Sequence, residues 1–297
     1  MKVKERSSRY HFGPPWLFRG SALYQLHLVK AEIARAFIPK ELRLVEAFGY
    51  TLGGFFLAQY EDSPAGKFDE LVVIAGIVWN PPSSCAWAAR VLVNSDDACH
   101  HGRKEVGLPS HIATFSKKIV TVTEKPNRSQ SFLNRIFMNS TFANQMEHSE
   151  IEVSQAKRSS IIPFCNISLP FSVTKSENGD KGMMPKIRMS LPSFSGQTED
   201  YPHLLKYSCE IECRVSAVPP AKVNSSIVEK ESQRSFGNKT YGNSDILSDE
   251  EAEKRSILVL LSKPILALKF SFLKMWVGAP SIVGPMSRKK EVRFSST

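Results

Sequence analysis

The chain has 297 residues, 42% of them hydrophobic and 23% charged, so a packed core is expected and wholesale disorder is excluded. The formal net charge is +10, but residues 1–20 carry five basic side chains against one acidic and residues 286–297 carry four against one. The body is therefore only mildly basic, and without zinc-finger spacing, a ribonucleoprotein motif or a basic helix it does not read as a nucleic-acid protein; residues 1–9 and 286–297 read as solvated basic tails.

Five cysteines at irregular spacing (Cys85, Cys99, Cys165, Cys209, Cys213) point to free thiols in a reducing compartment. The first twenty residues hold no apolar run of signal-peptide length, and a cytoplasmic location is expected. The most apolar stretch, 257–277, is interrupted by Lys263, Pro264, Lys269 and Lys274 and reads as part of a soluble fold, not a bilayer span.

In chain order, Leu23–Val29 reads as a strand. Lys30–Phe37 reads as a short helix, with Ile33, Ala34 and Phe37 on one side and Pro39 as its stop. Arg43–Ala47 is an expected strand. Tyr50–Tyr60 and Phe68–Trp79 flank the turn cluster Glu61–Gly66 and are expected to form a hairpin, with Gly53-Gly54 marking a bulge or a close backbone approach. Cys85–Asn94 is a third strand. Ser95–Val106 reads as a helix with Ser95 as N-cap, Asp96 and Asp97 in the first turn, and Gly107 and Pro109 beyond its end. Ile119–Thr123 is a strand, and 125–155 is weak and polar. Ile161–Leu169, Ile187–Leu191 and Leu205–Val218 follow as strands, with a loop at Ser176–Gly182, and Leu258–Val277 holds one or two more. The stretch 224–254 is rich in Ser, Asn, Glu and Lys and reads as a disordered polar loop inserted in a hairpin. The balance says α+β, mainly antiparallel β, with a few short helices in one domain over 10–279.

The segment from Gly102 through Arg103, Glu105, Pro109, Ser110 and His111 to Ala113, after the strand Trp87–Asn94 and the helix over 96–101, resembles the acetoacetate-decarboxylase superfamily, as does Phe18-Arg19 ahead of the first strand. The resemblance implies a cone-shaped β barrel around an apolar cavity. It also implies a Schiff-base lysine, depressed in pKa by a neighbouring lysine and a dry site, where this chain has Ser110 and His111. Arg19 and Glu70 fall where that superfamily has polar pocket residues. Serine carries no amine and a histidine ring does not form a stable imine, so enamine decarboxylation is not expected. Rescue by Lys104, Lys117 or Lys118 is disfavoured, because an exposed lysine is protonated.

Within the superfamily, Gly49–Gly66, Val78–Pro82, Cys85–Val91 and Leu261–Leu268 resemble a plant family required for neoxanthin formation. That resemblance implies a pseudoenzyme in carotenoid and xanthophyll metabolism, feeding abscisic acid synthesis, with a plastid as the alternative compartment. The partner is then an apolar, xanthophyll-like small molecule or a carotenoid-pathway protein, and no cofactor is expected.

Two readings stay open. In one, Arg19, Glu70, Ser110 and His111 line a ligand-binding cavity of an accessory protein. In the other, His111 is a general acid, Glu70 a base and Arg19 a stabiliser of negative charge, acting on a xanthophyll epoxide. Arg19 and Glu70 could equally form an ion pair that ties two strands. Cys99-His100-His101 does not read as a metal site, since adjacent helical side chains diverge and no second cluster has zinc spacing. Cys209 and Cys213 on one strand would lie about 13 Å apart, too far for a disulfide. Phe55, Phe56, Trp79, Trp87, Phe270, Phe272 and Trp276 are either core or the lining of a cavity for a long apolar ligand.

Overall fold

The computed structural model describes residues 9–80, 83–123, 145–157, 160–170, 185–225 and 248–283. Outside them lie residues 1–8 and 286–297 of the expected tails, the expected loop at 176–182 and most of the expected polar insert.

The first half runs β1 (Trp16–Lys30), α1 (Ala31–Arg35), β2 (Arg43–Leu44), β3 (Tyr50–Asp62), β4 (Phe68–Asn80), β5 (Ser83–Val93), α2 (Asp96–Lys104) and β6 (Ser110–Thr123). The second half runs β7 (Gln145–Lys157), β8 (Ser160–Pro170), β9 (Lys186–Ser190), β10 (Ser193–Gly196), β11 (Leu204–Tyr207), β12 (Cys209–Ala217), β13 (Lys222–Asn224), α3 (Asp249–Leu260), β14 (Lys263–Val277) and β15 (Ser281–Ile282). A 3-10 turn, Arg9–Phe12, precedes β1. No helix among the described residues is long and apolar enough to cross a membrane.

The strands form one mostly antiparallel sheet in the order β13-β8-β7-β6-β5-β4-β3-β1-β14-β12-β9. The expected α+β class is thus observed, but the expected barrel does not close by hydrogen bonds. Instead the chain leaves β9 at one edge and enters β10, whose Ser193 and Phe194 pair in parallel with Ala86 and Trp87 of β5. That step curls the sheet back on itself.

Both faces of the central strands are covered, which explains their continuous apolar runs. On β3, Phe55 and Leu57 join one core while Phe56 and Ala58 join the other. The outer core is closed by α1 and α3, through Ala31, Ala34, Ile257, Val259 and Leu260. A polar clasp fixes α3 there. The His27 ring bonds the Val259 carbonyl through Nδ1 (3.1 Å) and meets the Gln25 amide through Nε2 (2.9 Å), while Gln25 also bonds the backbone of Ala221. The β3–β4 hairpin forms where expected, and the glycine pair there is a close approach. A Cβ at Gly54 would lie 2.0 Å from the Gln25 carbonyl oxygen.

The structure departs from the sequence reading in the second half. Residues 249–260 are a helix, α3, although their polar start reads as loop and their apolar end as strand. Residues 145–157 form β7, within a stretch that reads as weak and polar. Leu205–Val218 is two strands, β11 and β12, parted at Ser208. The Ile119–Thr123 strand begins earlier, at Ser110, and this shift decides which residues reach the cavity.

Candidate functional site

The inner core surrounds a cavity of about 280 Å³. Strands β1, β3, β4, β5, β9, β12 and β14 contribute to its wall, and α2 closes one side with Ala98, His101 and Gly102. The lining is mainly Phe, Tyr, Trp, Val and Ile, the composition of a small-molecule site with few polar groups. A larger recess of about 720 Å³ beneath Arg35, Arg43, Glu46 and Trp79 is an open surface whose Arg35 and Glu46 pair with each other. Its charged side chains are exposed to solvent, which makes it the weaker candidate.

Glu70 is the ionisable acid of the cavity wall. Its surface faces the hollow, and protein surrounds it otherwise. The buried Tyr60 hydroxyl donates to its Oε2 at 2.8 Å. Burial pushes the Glu70 carboxyl up to about 7, although the bond from Tyr60 pulls it the other way. The nearby phenols respond in kind. Burial raises Tyr60 and Tyr10, and the negative charge of Glu70 raises both further.

His101 is the second polar group. Its ring stacks on Tyr10 at 3.6 Å between centroids and meets the edge of Trp16 at 4.4 Å. It is 9% exposed, and its Nε2 has no hydrogen-bond partner among the described residues. Burial lowers it to about 4, with His100 adding to the shift, so the ring is neutral at ordinary pH. The Ser95 hydroxyl caps the helix that carries it, accepting from the Ala98 N–H at 3.3 Å.

Ser110 lies on the cavity wall, 2% exposed. A Cβ at Gly102 would meet its Oγ at 2.7 Å, so the glycine lets α2 press onto it. Among the described residues, no lysine or arginine lines the cavity. Lys104 pairs with Asp200 (3.1 Å), Lys117 with Asp69 (2.6 Å) and Lys118 with Glu152 (4.0 Å), all away from it. Cys209 does line the cavity, its thiol pushed by burial up to about 12.

Two of the four residues expected from the sequence, Glu70 and Ser110, therefore meet at one cavity, and two do not. Arg19 is half-exposed and faces Asp62 at 3.4 Å, so it neither lines the cavity nor pairs with Glu70. Its neighbour Phe18 takes the inward position. His111 follows Ser110 in a strand, and successive side chains point to opposite faces. Its Nε2 lies 3.7 Å from Asp249 on the far side. Sequence reasoning missed His101, having weighed it only as a metal ligand, and missed Tyr60 and Tyr10. The signal for His101 was helical spacing, because it lies three residues after Ala98, another wall residue.

Behind the cavity wall, on the other face of β5 and β6, an ionic cluster surrounds the buried Arg90. Arg90 is 1% exposed and contacts Gln155 (3.0 Å), Asp249 (2.9 Å) and Glu253 (3.8 Å). Lys157 pairs with Glu253. Burial and the Arg90 charge lower His111, while Asp249 opposes them. Burial alone would raise Asp249, but Arg90 and His111 hold it below the usual carboxylate range.

Fold and site together define an α+β protein whose curled antiparallel sheet wraps an apolar cavity holding an acid that has no counter-charge among the described residues. No family model matches the chain. It is 61% identical over 290 residues to Protein NEOXANTHIN-DEFICIENT 1 of Oryza sativa subsp. japonica, covering 97% of this chain and 95% of that protein. It is 58% identical to the protein of that name from Solanum lycopersicum (95% and 97% covered) and 54% identical to that from Arabidopsis thaliana (96% and 99%). The chain belongs to this family. Solved structures also overlap it: an acetoacetate decarboxylase from Legionella pneumophila at TM-score 0.47 and 10% identity (92% and 88% covered), and a second acetoacetate decarboxylase structure at 0.49 and 8% (93% and 91%). Likeness this loose transfers no residue role.

Proposed function

We propose that this chain serves neoxanthin biosynthesis, and through it the supply for abscisic acid, by holding an apolar, oxygenated ligand such as a xanthophyll or by assisting the protein that converts one. It does not act as a decarboxylase. The observation that carries this reading is the cavity wall: Ser110 stands at the position where the superfamily resemblance implies a Schiff-base lysine, and no described lysine lines the hollow. The name of the plant relatives supports the pathway. Purified protein incubated with violaxanthin and analysed by chromatography tests it. Pigment retained without conversion is the expected result, and failure to retain pigment overturns ligand holding.

One observation favours a second, enzymatic reading. Glu70 (about 7) and His101 (about 4) share one cavity, so a carboxylic acid and a neutral imidazole are available together. The Glu70 carboxyl would give its proton to an epoxide oxygen as the carbon–oxygen bond breaks. The imidazole would take a proton from carbon as the new double bond forms. Neoxanthin formed by the purified protein, and lost in both Glu70→Gln and His101→Phe, decides for this reading.

A further inference from the structure

At about 280 Å³ the cavity is below the range of about 300–1,000 Å³ usual for sites that enclose drug-sized ligands. A xanthophyll, two oxygenated rings joined by a long polyene, cannot be enclosed whole. Were one ring end enclosed, the remainder would have to leave along an apolar path.

Such a path continues from the cavity. Tyr24 of β1 lines it, and alternation along the strand puts Leu26 and Leu28 on that same face. The opposite face carries Gln25, His27 and Val29, all nearly fully buried against the outer core and α3. Leu26 stands opposite Leu266 on β14, and Leu28 opposite Leu52 on β3. Leu266 is 40% and Leu52 43% exposed, while Leu26 and Leu28 are partly buried, so four large apolar residues follow the cavity outward over roughly 13 Å of strand.

The polar groups inside suit a neutral oxygen. A buried ring nitrogen without a hydrogen-bond partner among the described residues, His101 Nε2, is the kind of group that a ligand oxygen satisfies. The Glu70 carboxyl, engaged by Tyr60 at Oε2, supplies the second contact. With no described arginine or lysine in the wall, a carboxylate ligand would find no counter-charge and would be excluded by its desolvation cost.

We propose, resting on the ligand-binding reading above, that the cavity encloses one oxygenated ring end of a longer neutral ligand. The ligand oxygen sits between His101 Nε2 and the Glu70 carboxyl, and the polyene leaves over Leu26, Leu52 and Leu266. Two probes test this on the full chain by equilibrium binding: violaxanthin in detergent, and a ring-end epoxide fragment lacking the polyene. The fragment is expected to bind, and His101→Phe is expected to weaken both probes about tenfold or more, the loss of one hydrogen bond to a buried polar group. Leu52→Asp with Leu266→Asp, both at exposed positions and with retained fragment binding as the check on folding, is expected to weaken violaxanthin at least about tenfold more than the fragment. Violaxanthin bound without any fragment binding, or strip variants that change both affinities equally, overturn the one-end placement while leaving ligand binding standing. If neither probe binds, both fall.

Discussion

Strands β5 and β6 separate two buried polar regions that handle charge in opposite ways. On one face, Glu70 and His101 line a hollow without an oppositely charged partner among the described residues, and burial moves both toward their neutral forms. On the other, Arg90 pairs with Asp249 and Glu253, and Lys157 pairs with Glu253. Consecutive residues divide between the faces: Ser110 looks into the hollow and His111 into the ionic cluster. Buried ionisable groups that neutralise one another are structural. Buried ionisable groups left without a counter-ion, beside a space large enough for a ligand, are where function is to be sought.

The largest effect that sharpens this contrast is expected from Arg90→Ala. It leaves the buried Glu253 and Gln155 facing a void and should cost about 3–5 kcal/mol in denaturant unfolding, the usual result of removing one partner from a buried ion pair. A loss under about 1 kcal/mol would mean that the cluster is hydrated, as surface pairs are.

The cavity residues should instead tilt the pH dependence of stability, in opposite directions. Glu70 has a folded pKa raised from 4.5 to about 7, so the folded state holds its proton more tightly and stability falls as pH rises through that window. Glu70→Gln removes the penalty and should stabilise the protein at pH 8 by on the order of 2–3 kcal/mol, with no gain below pH 4.5. His101 is lowered from 6.5 to about 4, so its contribution is complete above pH 6.5 and is lost as pH falls toward 4. His101→Phe should flatten the acid limb. Urea unfolding across pH 4–8 reads both, and parallel profiles for the two variants would break the contrast.

Smaller effects follow. Ser95→Ala removes the cap of the helix that carries His101 and should cost about 1 kcal/mol, visible as a lowered Tm. Lys117→Met breaks a partly exposed pair with Asp69 and should cost well under about 1 kcal/mol, with ligand affinity unchanged.

Elements with strong local signals were legible in the sequence. The β3–β4 hairpin carries its turn between two apolar runs, and α2 carries its Ser95 cap, first-turn aspartates and Gly107, which adopts φ 65°. Where tertiary contacts outweighed local pattern, the reading failed. In α3, acidic residues 249–251 form an amphipathic start that looks like loop, and the Ile-Leu-Val-Leu run after it looks like strand. It is a helix because Ile257, Val259 and Leu260 cap the outer core. In β7, Ile151 and Val153 are buried between polar neighbours, an alternation masked by its polar surroundings. Glu70 and Ser110 were legible as wall residues through the superfamily resemblance. Arg19 and His111 failed for one reason: each follows a residue that faces the cavity in a strand, and two consecutive strand residues cannot both do so.

The central claim is that the hollow contains no reactive amine. Borohydride reduction of the purified protein in the presence of acetoacetate, followed by intact-mass and peptide mass spectrometry, tests it most directly. The account predicts an unmodified chain, whereas a reduced adduct mapped to any lysine would contradict it.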